Sequence, residues 1–153
     1  MAIDKTGPFW RSKDPNDLEE YLRELTQAGY PATIFRHSVC TCGAIEFKIQ
    51  VDAGESVAKR ICVQCETEAF FGDSEEYWEE SDPTELHCLG KGLFRITCKH
   101  EIFNLCTGFA MRPGDEDVLW ITIGCRCCKC GTLGSYVDWQ IRDHPSLYLL
   151  EKV

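Results

Sequence analysis

The chain has 153 residues, of which 44% are hydrophobic and 11 are cysteines, and its formal net charge is −9. That length suits one ordinary domain with a buried core. A disulfide framework would need a secretory signal, but residues 1–8 have neither a basic start nor an apolar run, and the number of cysteines is odd. No apolar run approaches the roughly 20 residues that span a membrane. We therefore expect a cytoplasmic protein with no membrane contact, whose reduced thiols are free to bind metal.

The first predicted element is a helix that follows an irregular arm, residues 1–13. Asp14 can cap the helix, and Pro15 suits its first position. Four apolar residues share one face at helical spacing, namely Leu18, Tyr21, Leu22 and Leu25. Gly29 is expected to end the helix. We expect residues 1–31 to form an arm and a helix that pack on the core, and residues 32–153 to form a cysteine-rich β domain.

Two cysteine pairs follow, in Cys40-Thr41-Cys42-Gly43 and in Cys62-Val63-Gln64-Cys65. From Ile45 to Val51 apolar and polar residues alternate, which predicts a half-buried strand. A second strand, from Val57 to Val63, would bring the second pair back beside the first. This is the layout of a zinc ribbon, because a structural zinc ion takes four ligands from two such turns. We therefore predict one zinc ion bound by four thiolates, those of Cys40, Cys42, Cys62 and Cys65.

The segment Glu66–Glu85 is strongly acidic. It contains nine of the 25 acidic residues and no Lys or Arg, and the other 16 acids equal the 16 basic residues of the chain. Such a field repels nucleic acid and attracts a basic protein. The candidate partner-binding residues are Glu75, Glu76, Tyr77, Trp78, Glu79 and Glu80. Two alternatives stay open: a solvated segment that only favours solubility, and a short helix whose two aromatic side chains fill the core.

The second half of the chain is expected to repeat the first, as segments 86–153 and 32–85. Phe47 comes five residues after Cys42, and Phe103 five residues after Cys98. Strands are predicted after Cys98, over 118–123 and over 132–139, with a turn at 112–117.

This half also ends in a cysteine turn, formed by Cys127 and Cys130, and Gly131 supplies the positive φ that such a turn needs. With Cys98 these cysteines give three ligands of a second zinc site, because the position equivalent to Cys40 is Ile96. The sequence offers four candidates for the missing ligand: Cys88, Cys106, Cys125 and His100. We favour Cys88, because it lies beside a glycine turn.

The order of the three cysteine motifs, C-x-C-G, C-x-x-C and C-x-x-C-G, is similar to that of the glutathione-dependent formaldehyde-activating family. The resemblance implies a different pairing, in which the first and last motifs (Cys40, Cys42, Cys127 and Cys130) share a structural zinc. It also implies that Cys62 and Cys65 bind a catalytic zinc. Where that family has the first cysteine of its middle motif, this chain has Arg60. A catalytic zinc here would therefore lack one of its three protein ligands.

The predicted fold is α+β: an N-terminal helix followed by mostly antiparallel β structure in tandem zinc-ribbon-like hairpins. The predicted function is that of a non-enzymatic zinc protein that binds another protein. In size, acidity and lack of catalytic motifs the chain resembles immunity proteins that neutralise basic toxins. The alternative, implied by the family resemblance, is a zinc-dependent enzyme that acts on thiol adducts.

Overall fold

The computed structural model describes residues 3–90, 97–114, 117–141 and 146–153, and its fold is α+β. The helices are α1 (Leu18–Leu25) and α2 (Ser74–Tyr77), and short 3-10 segments occupy Pro15–Asp17, Trp78–Glu80 and Leu147–Glu151. The strands are β1 (Ile34–His37), β2 (Phe47–Asp52), β3 (Val57–Cys62), β4 (Glu68–Phe70), β5 (Thr84–Glu85), β6 (Phe103–Met111), β7 (Val118–Cys127) and β8 (Leu133–Gln140). They form one open, mostly antiparallel sheet of eight strands. In the described part of the chain no helix is long and apolar enough to cross a membrane.

The sheet is built from two hairpins that meet at its centre. Its main path runs β4-β3-β2-β6-β7-β8, and β2 and β6 pair through Phe47 and Phe103, the first residue of each strand. Since these strands are antiparallel and pair at their first residues, they lead away from the Phe47–Phe103 pair in opposite directions. The free edge of each strand is covered by a short strand from elsewhere in the chain, β1 on β6 and β5 on β2.

The N-terminal helical segment begins as predicted, as a 3-10 turn over Pro15–Asp17 that continues into α1, and it ends earlier than predicted. The Asp14 carboxylate accepts a hydrogen bond from the Asn16 amide at 2.9 Å, and α1 buries Leu18 and Leu22 completely. The Thr26 hydroxyl donates to the Leu22 carbonyl oxygen and accepts from the Ala32 amide, so the chain leaves the helix at Leu25 rather than near Gly29. One residue of the predicted apolar face, Leu25, is therefore 49% exposed.

This helix lies across the hairpin β6–β7, where two glycines leave room for it. A Cβ atom on Gly124 would lie 3.0 Å from the Leu22 side chain, and one on Gly108 would lie 3.0 Å from the Ala32 Cβ atom. Large, fully buried residues of the sheet in the main core cluster include Phe47, Ile49, Phe103, Phe109, Ile121 and Ile123. Position 45 is an exception to the predicted alternation, because Ile45 is 46% exposed in the turn before β2, where its carbonyl oxygen accepts from Asn104.

Candidate metal centres

Eight of the eleven cysteines form two groups of four, and the sulfur atoms of each group all lie within 4.8 Å of one another. Site 1 consists of Cys40, Cys42, Cys62 and Cys65, and site 2 consists of Cys88, Cys98, Cys127 and Cys130. All eleven cysteines carry free thiols. Each group therefore offers four sulfur ligands that no disulfide consumes.

The spacing of the sulfur atoms fits a tetrahedral metal ion. In site 1 the Cys40 and Cys65 sulfurs are 3.4 Å apart, and those of Cys42 and Cys62 are 3.6 Å apart. In site 2 the corresponding separations are 3.6 Å for Cys88–Cys130 and 3.9 Å for Cys98–Cys127. A tetrahedral ion with metal–sulfur bonds of about 2.3 Å places its ligands roughly 3.8 Å apart. Both groups could thus hold an ion with little rearrangement.

Each site receives one cysteine from the end of a hairpin strand, and the two cysteines have the same register in their hairpins. Cys62, the last residue of β3, pairs with Phe47, and Cys127, the last residue of β7, pairs with Phe103. The phenylalanine in each case is the first residue of its strand. Phe47 and Phe103 therefore occupy equivalent positions in the two hairpins, and each follows a cysteine, Cys42 or Cys98, by five residues in the sequence.

The C-x-x-C turns that follow these strands share their hydrogen bonds. The Cys62 amide donates to the Thr67 carbonyl oxygen at 2.9 Å, and the Cys127 amide donates to the Thr132 carbonyl oxygen at the same distance. The two threonine hydroxyls also lie beside the second sulfur of each turn, 3.1 Å from Cys65 and 3.0 Å from Cys130. Sequence reasoning missed these threonines. Their signal was a threonine two residues after the last cysteine of both motifs.

The residue between the last cysteine and the threonine has a left-handed backbone in both turns. Gly131 has a φ of 77°, as the sequence predicts, and its amide donates to the Cys127 carbonyl oxygen. Site 1 has Glu66 at the equivalent position, with a φ of 65°. A side chain in this region carries a conformational cost that glycine avoids. The two turns are therefore alike in shape but unequal in local strain.

The N-terminal arm packs on the turn of site 2. The Ser12 amide donates to the Gly131 carbonyl oxygen at 2.9 Å, and the Leu133 amide donates to the Trp10 carbonyl oxygen at 2.8 Å. Arg126 adds a side-chain bond from its Nε to the Ser12 carbonyl oxygen at 2.7 Å. These bonds hold the arm against site 2.

Substitution at the two equivalent turn positions is expected to have opposite effects. A Cβ on Gly131 would lie 2.5 Å from the Ser12 carbonyl oxygen, and φ is unfavourable, so Gly131→Ala should lower the free energy of unfolding by about 1–3 kcal/mol. Glu66→Gly relieves the left-handed glutamate and should leave that free energy unchanged or raise it by up to about 1 kcal/mol. Urea denaturation followed by tryptophan fluorescence measures both changes. If Gly131→Ala left the free energy of unfolding unchanged, the proposed strain at this position would be contradicted.

The first cysteines of the two sites are presented differently. In site 1, Cys40 and Cys42 share one tight turn, closed by a bond from the Gly43 amide to the Cys40 carbonyl oxygen at 2.8 Å. In site 2, Cys88 and Cys98 lie on two paired segments, in which the Cys98 amide donates to the Gly90 carbonyl oxygen at 2.8 Å. Cys88, favoured on sequence grounds as the fourth ligand, lies in this group.

Three thiols lie outside both groups. Cys106 and Cys125 are buried in the sheet, and burial raises the pKa of Cys106 to about 12 and also raises that of Cys125. Cys128 lies in the turn of site 2, and burial raises its pKa to about 11. The fourth candidate ligand, His100, is not in the group either, and Ile96 lies outside the described residues. Neither four-sulfur group therefore includes Cys106, Cys125 or Cys128.

The two sites differ in their exposure to solvent. In site 1, Cys42 and Cys65 are exposed, while Cys40 and Cys62 are buried. In site 2 two ligands are buried and two, Cys98 and Cys130, are only partly exposed. Reagents in solution can therefore reach the sulfurs of site 1 more directly than those of site 2.

Hydrogen bonds lower the pKa of Cys127 in site 2 and, in site 1, those of Cys40 and of Cys65, the latter mainly through the Thr67 hydroxyl. The Cys88 thiol, aided by backbone amides of the turn, lowers the pKa of Cys127 to about 4, whereas the pKa of Cys88 itself is raised by this interaction and by burial. In site 1 the Cys42 amide is the main cause that lowers the pKa of Cys40 to about 6. Binding of a divalent cation converts the remaining thiols to thiolates and so releases protons.

Arg60 lies beside site 1, at the position where the formaldehyde-activating family has a cysteine. Its side chain is nearly buried, its guanidinium lies 4.7 Å from the centre of the Phe47 ring, and its Nε donates to the Val153 carbonyl oxygen at 2.9 Å. Burial lowers the pKa of Arg60, and the charge of Cys40 opposes this shift. Arg60 therefore places a positive charge beside the thiolates of site 1.

The predicted partner-binding residues lie on α2 and the 3-10 segment after it. All four glutamates, Glu75, Glu76, Glu79 and Glu80, are exposed. Tyr77 is 40% exposed, whereas Trp78 is partly buried, with its ring 5.4 Å from that of Phe70 and 4.7 Å from the Lys59 ammonium group. Trp78 thus attaches the acidic segment to β3 and β4.

Comparison with known proteins gives no further guide to the site. The chain matches no known protein family, and no curated protein or solved structure is significantly similar to it. The structure also groups the three motifs differently from the pairing that the family resemblance implies. Cys40 and Cys42 lie with Cys62 and Cys65, and not with Cys127 and Cys130.

Proposed function

We propose that sites 1 and 2 each bind one zinc ion and that both ions are structural. The observation that carries this proposal is the presence of two complete four-sulfur groups with tetrahedral spacing. Four thiolates and no other ligand type are characteristic of structural zinc, and four sulfurs fill its coordination sphere. Catalytic zinc instead keeps a position for water or substrate. The ligand sets therefore support stabilisation of the fold rather than catalysis.

We further propose that the protein acts by binding a basic protein, in the manner of an immunity protein that neutralises a basic toxin. Support comes from the acidic segment, whose four glutamates around Tyr77 and Trp78 are exposed to solvent. Trp78 holds this segment on the sheet, so a partner would meet a preformed surface. A dense field of one sign accelerates association with a partner of opposite charge.

Native mass spectrometry combined with cysteine alkylation tests the zinc proposal. The folded protein is expected to carry two zinc ions, and the eight grouped cysteines should resist iodoacetamide until a chelator is added. The absence of ions from protein purified without chelator, together with alkylation of these cysteines in the native state, would overturn the proposal. Bound iron would be seen as visible absorption and would correct the identity of the metal.

Charge neutralisation of the acidic segment tests the partner proposal. Replacement of all four glutamates, Glu75, Glu76, Glu79 and Glu80, by glutamine should weaken binding to a small basic nuclease by about a hundredfold, mainly through slower association. Stopped-flow binding at two salt concentrations measures this change. The control is a triple glutamine variant on α1, at Glu19, Glu20 and Glu24, which should bind like the original chain. Equal effects of the two variants would argue against a localised interface.

A further inference from the structure

A groove of about 530 Å³ lies beside the acidic segment and was not anticipated from the sequence. Three aromatic and three acidic residues line it, together with two uncharged polar residues. The aromatic residues are Tyr77, Trp120 and Trp139, and the acidic residues are Glu55, Asp73 and Asp138. Among the residues that the structure describes, no Lys or Arg lines the groove.

Two tryptophans fix the orientation of two carboxylates in this groove. Trp120 donates its indole N–H to Asp138 Oδ2 at 2.9 Å, and Trp139 donates its indole N–H to Asp73 Oδ1 at 3.0 Å. Trp120 is itself held by stacking on Tyr30, with ring centroids 4.8 Å apart and an interplanar angle of 16°. A carboxylate has about four acceptor sites, so the indole bond of Trp120 positions Asp138 without saturating it. The groove thus presents oriented acceptors on rigid supports.

The chemistry of the groove suits a guanidinium group. An aromatic face attracts a cation, and a planar guanidinium can stack on an indole while it donates paired hydrogen bonds to a carboxylate. A lysine ammonium group is compact and strongly hydrated, so it gains less from this combination. Its described lining contains three acids and no base, so the groove is complementary in charge to such a ligand.

We propose that this groove receives an arginine side chain of the basic protein partner. The proposal rests on the proposed function and adds a specific anchor to it. Tyr77 and Asp73 belong to the acidic segment, while Trp120, Asp138 and Glu55 lie on other parts of the chain. The interface therefore continues from the acidic segment to Trp120, near the start of β7, and to Asp138, near the end of β8. Aromatic and arginine contacts in such pockets carry much of the energy of protein interfaces.

NMR titration of the ¹⁵N-labelled, zinc-loaded protein with the capped tripeptide acetyl-Gly-Arg-Gly-amide tests the proposal. The indole N–H signals of Trp120 and Trp139 are expected to shift and saturate, while that of Trp10 stays in place. The lysine tripeptide should bind at least about fivefold more weakly. Asp138→Asn should weaken arginine binding by about tenfold or more, because it removes a charge that faces the guanidinium.

Controls separate this proposal from the proposed function. Glu55→Gln leaves both tryptophan–aspartate bonds in place and should also weaken arginine binding. It therefore tests the proposal even if the Asp138→Asn variant fails to fold. Glu24→Gln, beside Trp10, should have no effect. Equal affinity for the lysine peptide, or shifts confined to the amides of Glu75–Glu80, would overturn the groove as an arginine site. Failure of a basic nuclease to bind, with the groove shifts intact, would instead overturn the proposed function alone.

Discussion

The Cys127→Ser variant is expected to bind one zinc ion fewer and to lose about 4 kcal/mol or more of its free energy of unfolding. Cys127 is completely buried at the end of β7 and belongs to site 2. Loss of a structural metal is among the few single changes that exceed about 4 kcal/mol, because the remaining thiolates lose their shared cation. Zinc analysis and urea denaturation measure the two effects.

Cys128→Ser supplies a matched control from the same turn. Its sulfur is outside the four-sulfur group, and the backbone bond from its amide to the Ile102 carbonyl oxygen survives the substitution. This variant should keep two zinc ions and most of its stability. If Cys127→Ser retained both ions and unfolded at the same urea concentration as Cys128→Ser, the assignment of site 2 would be wrong.

Site 1 is expected to lose its ion to a chelator at least about tenfold faster than site 2. Cys42 and Cys65 are exposed, whereas the ligands of site 2 are buried or partly exposed and its turn is held by the arm. A time course with a chelator and iodoacetamide, read by peptide mass spectrometry, should label Cys42 and Cys65 first. Labelling of Cys98 and Cys130 should follow with the loss of the second ion.

The buried thiols provide the internal reference for this experiment. Cys106 and Cys125 lie in the sheet at no more than 1% exposure and should be labelled only when the whole fold opens. Simultaneous labelling of both sites and of these two cysteines would mean that one global unfolding step controls metal release. It would contradict the expected difference between the sites.

Local patterns were enough to predict several parts of the fold. The cap at Asp14, the buried face of α1 and the hairpin β2–β3 follow from short-range periodicity and were found nearly where expected. The α+β class and the mostly antiparallel sheet are confirmed. Exposure of Leu25 and Ile45 departs from the periodic pattern, because Thr26 and Asn104 bind backbone groups at the ends of these elements.

The pairing of strands that are distant in the sequence could not be predicted from the sequence. Strands β1 and β5 are short, and each pairs with a strand from a distant hairpin, which no local signal reports. The order of the cysteine motifs is compatible with two pairings, and the positions of the sulfur atoms in the folded chain distinguish them, in agreement with the register of Phe47 with Cys62 and of Phe103 with Cys127. The groove at Trp120 was missed for the same reason, since its walls come from separate elements.

The exchange of edge strands between the two hairpins has a consequence for synthesis on the ribosome. Strand β1 pairs with β6, so the beginning of the chain has no sheet to join until residues 103–111 have left the exit tunnel. The first cysteine turns emerge well before that point. The four sulfurs of site 1 all precede residue 66, so this group can come together on the nascent chain while β1 is still unpaired, whereas the pairing of β1 depends on the arrival of the second half of the chain.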